Sequence, residues 1–370
     1  MTAPPSIPDT ARSAPAATPD RDAFFDNVKI LAIVLVVCGH FWGTMQEESR
    51  SVRAVYMLVY LFHMPLFIAV CGYFSRSFAR DSANPKRFRR LLLTTLVPYL
   101  IFATLYTLFR NLTHDQSPFS GEWTRMQLVE PWYLTWFLMA LFLWRLTSPF
   151  WLVVRWPLTI SVIASLAIGA DQARDFAIGQ FLQFLPFFVL GLTVRPELLD
   201  RLRAWRWRRP AALLVFAGAL AGCYLYAPVA RTEWLYRRSG HERLDVDIVH
   251  WWLHSAAQGL VALLLCLAFL ALVPSRRSWW TPLGEGTQYS YLLHGFVVQG
   301  GLALGILGLE FWDTPVGAVV ITVFAVALAF ALATPVVRRA TGWIVEPQLT
   351  WLFRPLEQRA ERRTEQTPAR

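Results

Sequence analysis

The feature that most constrains this chain is a series of long apolar stretches separated by short charged segments. A helix rises ~1.5 Å per residue and the hydrocarbon core of a bilayer is ~30 Å thick, so about 20 apolar residues form one span. With 55% hydrophobic residues among 370 and a mean hydropathy of +0.38, the chain is too apolar for soluble domains. It is predicted to be an all-α polytopic membrane protein.

About ten transmembrane helices are predicted from the apolar runs. They fall at 28–45, 52–74, 91–109, 128–147, 151–169, 176–194, 211–230, 248–273, 288–309 and 316–337. Three prolines, Pro65, Pro98 and Pro186, lie inside these runs. Proline bends a membrane helix without ending it when neighbouring groups satisfy the freed backbone.

The distribution of Lys and Arg orients the spans. With the N-terminus inside, the outer loops hold only nine of the 35 basic residues, and the large basic groups at 76–90 and 195–209 lie inside. This asymmetry follows the positive-inside rule and predicts that both termini are cytoplasmic. Because the formal charge of +10 is divided among such short clusters, the chain is not expected to bind nucleic acid.

Three regions are expected along the chain. Residues 1–25, rich in Pro, Ala, Ser and Thr, are predicted to be a disordered cytoplasmic tail with no cleaved targeting segment. Residues 26–340 form the ten-helix domain, and residues 341–370 an interfacial and then disordered cytoplasmic tail. The four cysteines lie in apolar runs without C-x-x-C spacing, so they predict neither disulfides nor a zinc site.

The first span contains two ionisable groups, Lys29 and His40. They are eleven residues apart, within about 20° of full register on a helix, so they share a face with roughly 16 Å between them. Ionisable groups inside a membrane are costly, which makes each a candidate functional residue. In the alternative interpretation, Lys29 pairs with Asp26 three residues earlier and His40 is a hydrogen-bonded packing residue.

The second span carries His63 next to Pro65, and the basic run 86–90 follows it. The histidine is expected to satisfy helix carbonyls beside the proline. Arginine side chains at a membrane rim suit the phosphates of coenzyme A, because their forked N–H groups match phosphate oxygens. The alternative is that the run only sets topology.

Together these features resemble the acyltransferase 3 family of integral membrane proteins, which includes sugar O-acetylases and macrolide acyltransferases. The first span of that family has an acidic residue, a basic residue and, eleven positions later, a histidine, which correspond here to Asp26, Lys29 and His40. The family usually has Arg where this chain has Lys29, which keeps the charge and lacks the bidentate fork. The other similar segments are 62–76, Arg87-x-x-Arg90, 131–142, 184–192 and 286–295, so the resemblance covers about 290 residues.

The resemblance implies an acyltransferase. An acyl-CoA co-substrate, expected to be acetyl-CoA, binds from the cytoplasm, and no resident cofactor is expected. His40 is the implied catalytic residue, accepting the proton of a hydroxyl as that hydroxyl attacks the thioester. Lys29, Arg87 and Arg90 are the candidate residues for the donor phosphates, and Asp26 and His63 are supporting residues.

The acceptor is expected to be an extracytoplasmic glycan, glycolipid or secreted small molecule. Trp132, Tyr133 and Trp136 at the outer end of the fourth span are candidates for stacking it, and an interfacial aromatic belt is the alternative. Tyr291 and His294 match the family pattern and are expected toward the inner half of the ninth span, lining a donor passage or packing.

One alternative function stays open, and one candidate metal site is set aside. A transporter or flippase for a lipid-linked sugar or acyl group also explains basic inner loops and buried histidines, although no internal repeat supports it. His250 and His254 are spaced like metal ligands, but no carboxylate completes an H-E-x-x-H motif, so no metal is predicted. The short loops favour a bacterial plasma membrane.

Overall fold

The computed structural model describes residues 22–113, 132–168, 176–349 and 351, and the regular elements in this part of the chain are all helices. The helices are α1 (Ala23–Trp42), α2 (Arg50–Arg80), α3 (Pro85–Leu91), α4 (Val97–Thr113), α5 (Trp136–Val153), α6 (Pro157–Ala167), α7 (Phe176–Thr193), α8 (Pro196–Ala204), α9 (Arg208–Tyr226), α10 (Ile248–Leu272), α11 (Thr287–Ala303), α12 (Pro315–Leu332) and α13 (Pro335–Val345). The predicted all-α class is confirmed for these residues.

Each of the ten predicted runs contains a helix, but fewer than ten of these helices have the length and hydropathy of a membrane span. Within the described residues seven do, and the bent pair of α7 and α8 brings the number to eight. The pair is bent by 84° near Pro196, so α8 leaves the direction of α7. The chain is therefore a multi-pass membrane protein.

Two predicted spans are shorter than expected. Helix α6 has 11 residues, about 16 Å, against a hydrocarbon thickness of ~30 Å. Helix α11 has 17 residues and buries polar side chains, among them Ser290 and His294. The lengths of α6 and α11 alone therefore do not establish that these helices cross the membrane.

Helices α2 and α7 form the tightest contact of the core. A Cβ atom on Gly72 would lie 2.1 Å from the backbone oxygen of Phe188, and one on Gly191 would lie 1.9 Å from that of Ala69. No other residue fits at these two positions, because the two backbones touch there. Small residues allow membrane helices to pack this closely.

The bundle has two ends, which we name by residues of α1. At the His40 end α1 finishes and α2 starts, and Arg50 and Arg53 donate hydrogen bonds to the carbonyls of Tyr224 (2.8 Å) and Ala230 (2.7 Å). At the Asp26 end α1 starts. There Asn27 donates to the carbonyls of Pro274 (2.9 Å) and Arg276 (3.0 Å), which follow α10.

The described C-terminal segment is amphipathic. Helix α12 ends at Leu332, five residues before the predicted boundary, and α13 begins at Pro335. Trp343 is exposed on α13, as an interfacial helix requires. The predicted tails fall mostly outside the described residues, namely at 1–21, 350 and 352–370.

Candidate active site

His40 lies in the last turn of α1 and faces a cavity of about 560 Å³. The cavity wall is built from the ends of helices that meet at the His40 end. Its residues include Thr44, Tyr56, Tyr60, His63, Met64, Thr107, Arg110, Trp132, Tyr133, Trp136, Gln180, Phe184, Tyr236, Arg238, Tyr291, Val298 and Gln299. This volume is in the range of small-molecule sites. His40 itself is half-buried, so its ring is open to the cavity and not to lipid alone.

Tyr133 holds the His40 ring in place. The Tyr133 hydroxyl and Nδ1 of His40 are hydrogen-bonded at 3.1 Å. Tyr133 begins the short 3₁₀ turn before α5 and has a φ of 58°, in the left-handed region that a bulky residue seldom adopts. Strain of this kind persists where the surroundings enforce it and is concentrated at functional sites.

His294 lies beside His40, seven residues after the start of α11. The two ring centroids are 5.2 Å apart, and the His294 side chain is fully buried. Nδ1 of His294 bonds to the Ser290 carbonyl at 2.7 Å, so Nδ1 carries the proton in this bond. Nε2 is buried without a hydrogen-bond partner among the described residues. An unpaired imidazole lone pair is thus buried next to His40.

The supporting residues His63 and Tyr291 are also in the cavity wall. Nδ1 of His63 bonds to the Val59 carbonyl at 2.8 Å, which is the expected bond to a helix carbonyl. The Tyr291 hydroxyl donates to the carbonyl of Leu134 and so connects α11 to the turn that carries Tyr133. Each of the two side chains therefore also has a structural hydrogen bond.

The three aromatic residues predicted for the acceptor, Trp132, Tyr133 and Trp136, all line the cavity. Trp136 stacks on Phe184 at 5.6 Å, and the Arg110 guanidinium lies 5.6 Å from the Trp132 ring. The described cavity wall contains no carboxylate. The site is therefore aromatic and neutral around His40, with cations only at its edge.

Arg237 lies behind this wall and has no counterpart in the sequence-based prediction. It is 8% exposed, and its guanidinium lies over the rings of Phe184 (5.9 Å) and Phe187 (5.5 Å). Burial lowers the pKa of Arg237 to about 10, so the side chain stays charged at neutral pH. Its neighbour Arg238 lines the cavity and stacks on Tyr236, with 5.0 Å between the guanidinium carbon and the ring centroid.

The residues predicted for the donor phosphates lie at the opposite end of the bundle. Lys29 pairs with Asp26 at 2.7 Å, as the alternative interpretation expected. Arg87 pairs with Asp81 at 3.1 Å and also donates to the carbonyl of Ser77. Arg90 is exposed and forms no ion pair with any described residue. Of the three cations, Arg90 therefore has the most freedom to bind an anion.

Arg145 belongs to the same region, and the sequence-based prediction missed it. It lies within electrostatic range of Arg90 and of the Cys71 thiol, and Cys71 lies in range of Lys29. Its position inside an apolar run, two residues before the predicted end of a span, resembles that of an arginine reaching the interface. In the structure α5 continues for eight residues after Arg145, so this side chain lies deeper in the helix than the sequence indicates.

The described residues contain no group of three or more His, Cys, Asp or Glu side chains that is arranged to hold a metal ion. His250 and His254 pack against Trp234 instead, with ring centroids 6.3 Å and 3.9 Å from it. The described cavity wall offers imidazole and tyrosine hydroxyl groups at His40, His63, Tyr133 and Tyr291.

Comparison with known proteins agrees with this chemistry. A family model described as an acyltransferase domain matches residues 22–334, which include both ends of the bundle. The chain belongs to the acyltransferase 3 family. As a member of this family it is an O-acyltransferase, and the resemblance seen in the sequence is confirmed.

Two relatives of this acyltransferase carry the name nodulation protein NolL. The protein of Sinorhizobium fredii (strain NBRC 101917 / NGR234) is 27% identical over 360 residues, covering 92% of this chain and 93% of the relative. The protein of Mesorhizobium japonicum (strain LMG 29417 / CECT 9101 / MAFF 303099) is 26% identical over 226 residues, covering 58% of each chain. No solved structure matches the chain.

Proposed function

We propose that the enzyme transfers an acetyl group from cytoplasmic acetyl-CoA to a hydroxyl of an extracytoplasmic glycan, glycolipid or secreted small molecule. The observation that carries the proposal is the position of His40, in a neutral aromatic cavity at one end of the bundle, with cations at the other end. A hydroxyl acceptor needs the neutral aromatic cavity, and the anionic acyl-CoA donor needs the cationic end. The enzyme would lie in a bacterial plasma membrane.

The ends of the helices support ten crossings with both termini cytoplasmic. The start of α5 at Trp136 and the N-terminal part of α7 at Gln180 both line the cavity, which favours a return across the membrane by the segment between them, which contains α6. Helix α11 starts near Gly284, which touches Asp26, and reaches the cavity at Val298 and Gln299. Its 17 residues span about 25 Å, enough for a crossing in a locally thin region.

At His40 the reaction is a direct acyl transfer. With the proton on Nδ1 and donated to Tyr133 Oη, Nε2 has the free lone pair that a general base requires. The acceptor hydroxyl gives its proton to Nε2, its oxygen forms a bond to the thioester carbonyl carbon, and the carbon–sulfur bond breaks. The proton then passes to the thiolate, releasing coenzyme A as the thiol. Atoms and charge balance without a metal or a redox partner.

The acceptor would lie against the aromatic wall. Trp132 and Trp136 present flat faces on which a sugar ring can stack, and Tyr133 lies between them and His40. A stacked sugar would place one hydroxyl near Nε2 while its other hydroxyls meet polar groups such as Gln180 and Gln299. Such polar groups fix orientation in a mostly apolar site.

The donor would enter from the Asp26 end. Lys29, Arg87 and Arg90 are the proposed residues for its phosphates, and because Lys29 and Arg87 already have carboxylate partners, Arg90 is the principal one. Phosphates cannot enter hydrocarbon, so only the uncharged arm and the thioester reach His40.

Sealed membrane vesicles of defined orientation test the sidedness and the chemistry. Inside-out vesicles from cells that express the protein are given acetyl-CoA labelled in the acetyl group, and products are separated after lysis. We expect a labelled ester in the lumenal fraction, and we expect right-side-out vesicles to form it only after permeabilisation. Label that crosses the membrane without forming a new ester would instead indicate a transporter.

A further inference from the structure

Arg145 is a cation in the middle of a membrane-spanning helix. It lies nine residues after the start of α5 and eight before its end, about 13 Å and 12 Å along the axis. It is half-buried, and its guanidinium has no ion pair or hydrogen bond with any residue that the structure describes. Ionisable residues at such depth mark ligand or ion pathways. Arg145 is therefore a candidate to bind an anion.

The surroundings of Arg145 are cationic. Arg90 and the Cys71 thiol are within electrostatic range, and Cys71 is in range of Lys29. The nearby carboxylates have other partners, since Asp26 pairs with Lys29 at 2.7 Å and Asp81 pairs with Arg87 at 3.1 Å. Like charges held together raise the free energy of the empty site and favour a bound anion.

An irregular turn lies beside this cluster. Residues Leu92–Leu96 form a π-helical segment that packs against α5. Pro98 has no N–H to give to a preceding carbonyl, and the hydroxyls of Thr94 and Thr95 bond to the carbonyls of Arg90 (2.8 Å) and Leu91 (2.6 Å). Such π segments occur frequently at functional sites, and this one widens the helix next to Arg145.

The distance from His40 to Arg145 matches the length of the donor. Tyr133, which is bonded to His40, precedes Arg145 by twelve residues, so the two lie roughly 15–18 Å apart along α5. The pantetheine arm has a backbone comparable to four or five extended residues and is on the order of 15 Å long. When the thioester reaches His40, the pyrophosphate is therefore at the level of Arg145.

We propose that Arg145 binds the pyrophosphate of the acyl-CoA donor, with Arg90 as its second cationic ligand. The inference rests on the proposed function and adds a residue within the membrane to the donor site. The forked guanidinium matches two phosphate oxygens at once, which a lysine at the same position does not. The phosphate of a lipid headgroup fits less well, because Arg145 lies about 12 Å or more from either end of α5.

Ligand binding to the full-length protein in nanodiscs tests the assignment. Calorimetry with coenzyme A and with 3′-dephospho-coenzyme A, which keeps the pyrophosphate, is compared for wild type, Arg145→Gln and Arg145→Lys. We expect Arg145→Gln to weaken both ligands equally, by roughly 10- to 100-fold, and Arg145→Lys to weaken them less. The ligand-free Tm of Arg145→Gln should not fall, because the substitution relieves repulsion.

A matched control removes the same charge two residues after the end of the same helix. Arg155 is exposed and stacks on Trp156 at 5.5 Å, and Arg155→Gln should change either affinity by less than about twofold. Unchanged affinity in Arg145→Gln would overturn the proposal. A loss confined to coenzyme A would overturn it too, because the 3′-phosphate would then be the ligand. If wild type binds neither ligand, the acyl-CoA donor itself is wrong.

Discussion

The two ends of the helical bundle satisfy their polar groups in opposite ways. Around His40, imidazoles and hydroxyls bond to each other or to helix carbonyls, and the described cavity wall has no carboxylate. At the Asp26 end, Arg90 and Arg145 have no carboxylate partner among the described residues. The comparison teaches that the cations near His40, namely Arg110, Arg237 and Arg238, lie against aromatic rings, whereas Arg90 and Arg145 at the other end are candidates to bind an anion.

The largest expected effect is at the neutral end. Replacing His40 by Ala removes the base, and acyl transfer should fall by ~10²–10⁴-fold at saturating donor. The rate is measured as coenzyme A thiol released together with ester formed. His250→Ala is the control, because His250 is exposed at the start of α10 and should keep full activity. Near-normal transfer by His40→Ala would remove the assigned catalyst.

A smaller loss is expected at His294. Its Nε2 is buried without a described partner and its ring is 5.2 Å from that of His40, so His294→Ala leaves a void beside the base. We expect kcat to fall by ~10²-fold with little change in the KM for acyl-CoA. The same kinetic assay at varied donor concentration separates the two constants. A change in KM alone would place His294 in the donor passage, where the sequence had predicted it.

Substitutions at the cationic end should change the KM for acyl-CoA. Arg90→Ala is expected to raise the KM for acyl-CoA about tenfold, because Arg90 has no ion pair to a described residue. Arg87→Ala should raise it only about two- to threefold, since Arg87 is already paired with Asp81. Both effects should shrink at high salt, which screens exposed charges. Equal effects for the two variants would mean that the ion pair does not restrain Arg87.

The smallest effect on kcat is expected for the residue that orients the base. Tyr133→Phe removes the hydroxyl bonded to His40 Nδ1 at 3.1 Å but keeps the ring. Loss of one such bond should reduce kcat by about 3- to 10-fold. Stopped-flow measurement of single-turnover acyl transfer checks this. A loss as large as that of His40→Ala would give Tyr133 a role in the chemistry itself.

The positions of the helices could be predicted from the sequence, but their status as spans could not. Apolar runs separated by charge locate all ten helices, because burial in lipid or in protein requires the same residues. The shortness of α6 depends on where its capping residues lie, Trp156 at its start and Ile168 at its end, which hydropathy does not register.

The site could be predicted only in part. His40 stands out because an imidazole in an apolar run is rare, and Trp132 and Tyr133 follow from their place in the chain. The proximity of His294 to His40 could not be predicted, because the position of one helix against another depends on packing between helices. Arg145 was missed because a sequence does not say whether an arginine reaches the interface or remains at depth.

The glycine contact between α2 and α7 has a mechanical consequence. Since the two backbones touch at Gly72 and Gly191, these helices cannot slide past each other during turnover. The segment between α9 and α10, whose Tyr236 and Arg238 border the cavity, is not part of this contact. Exchanging that segment between relatives is a route to altered acceptor choice on an unchanged scaffold.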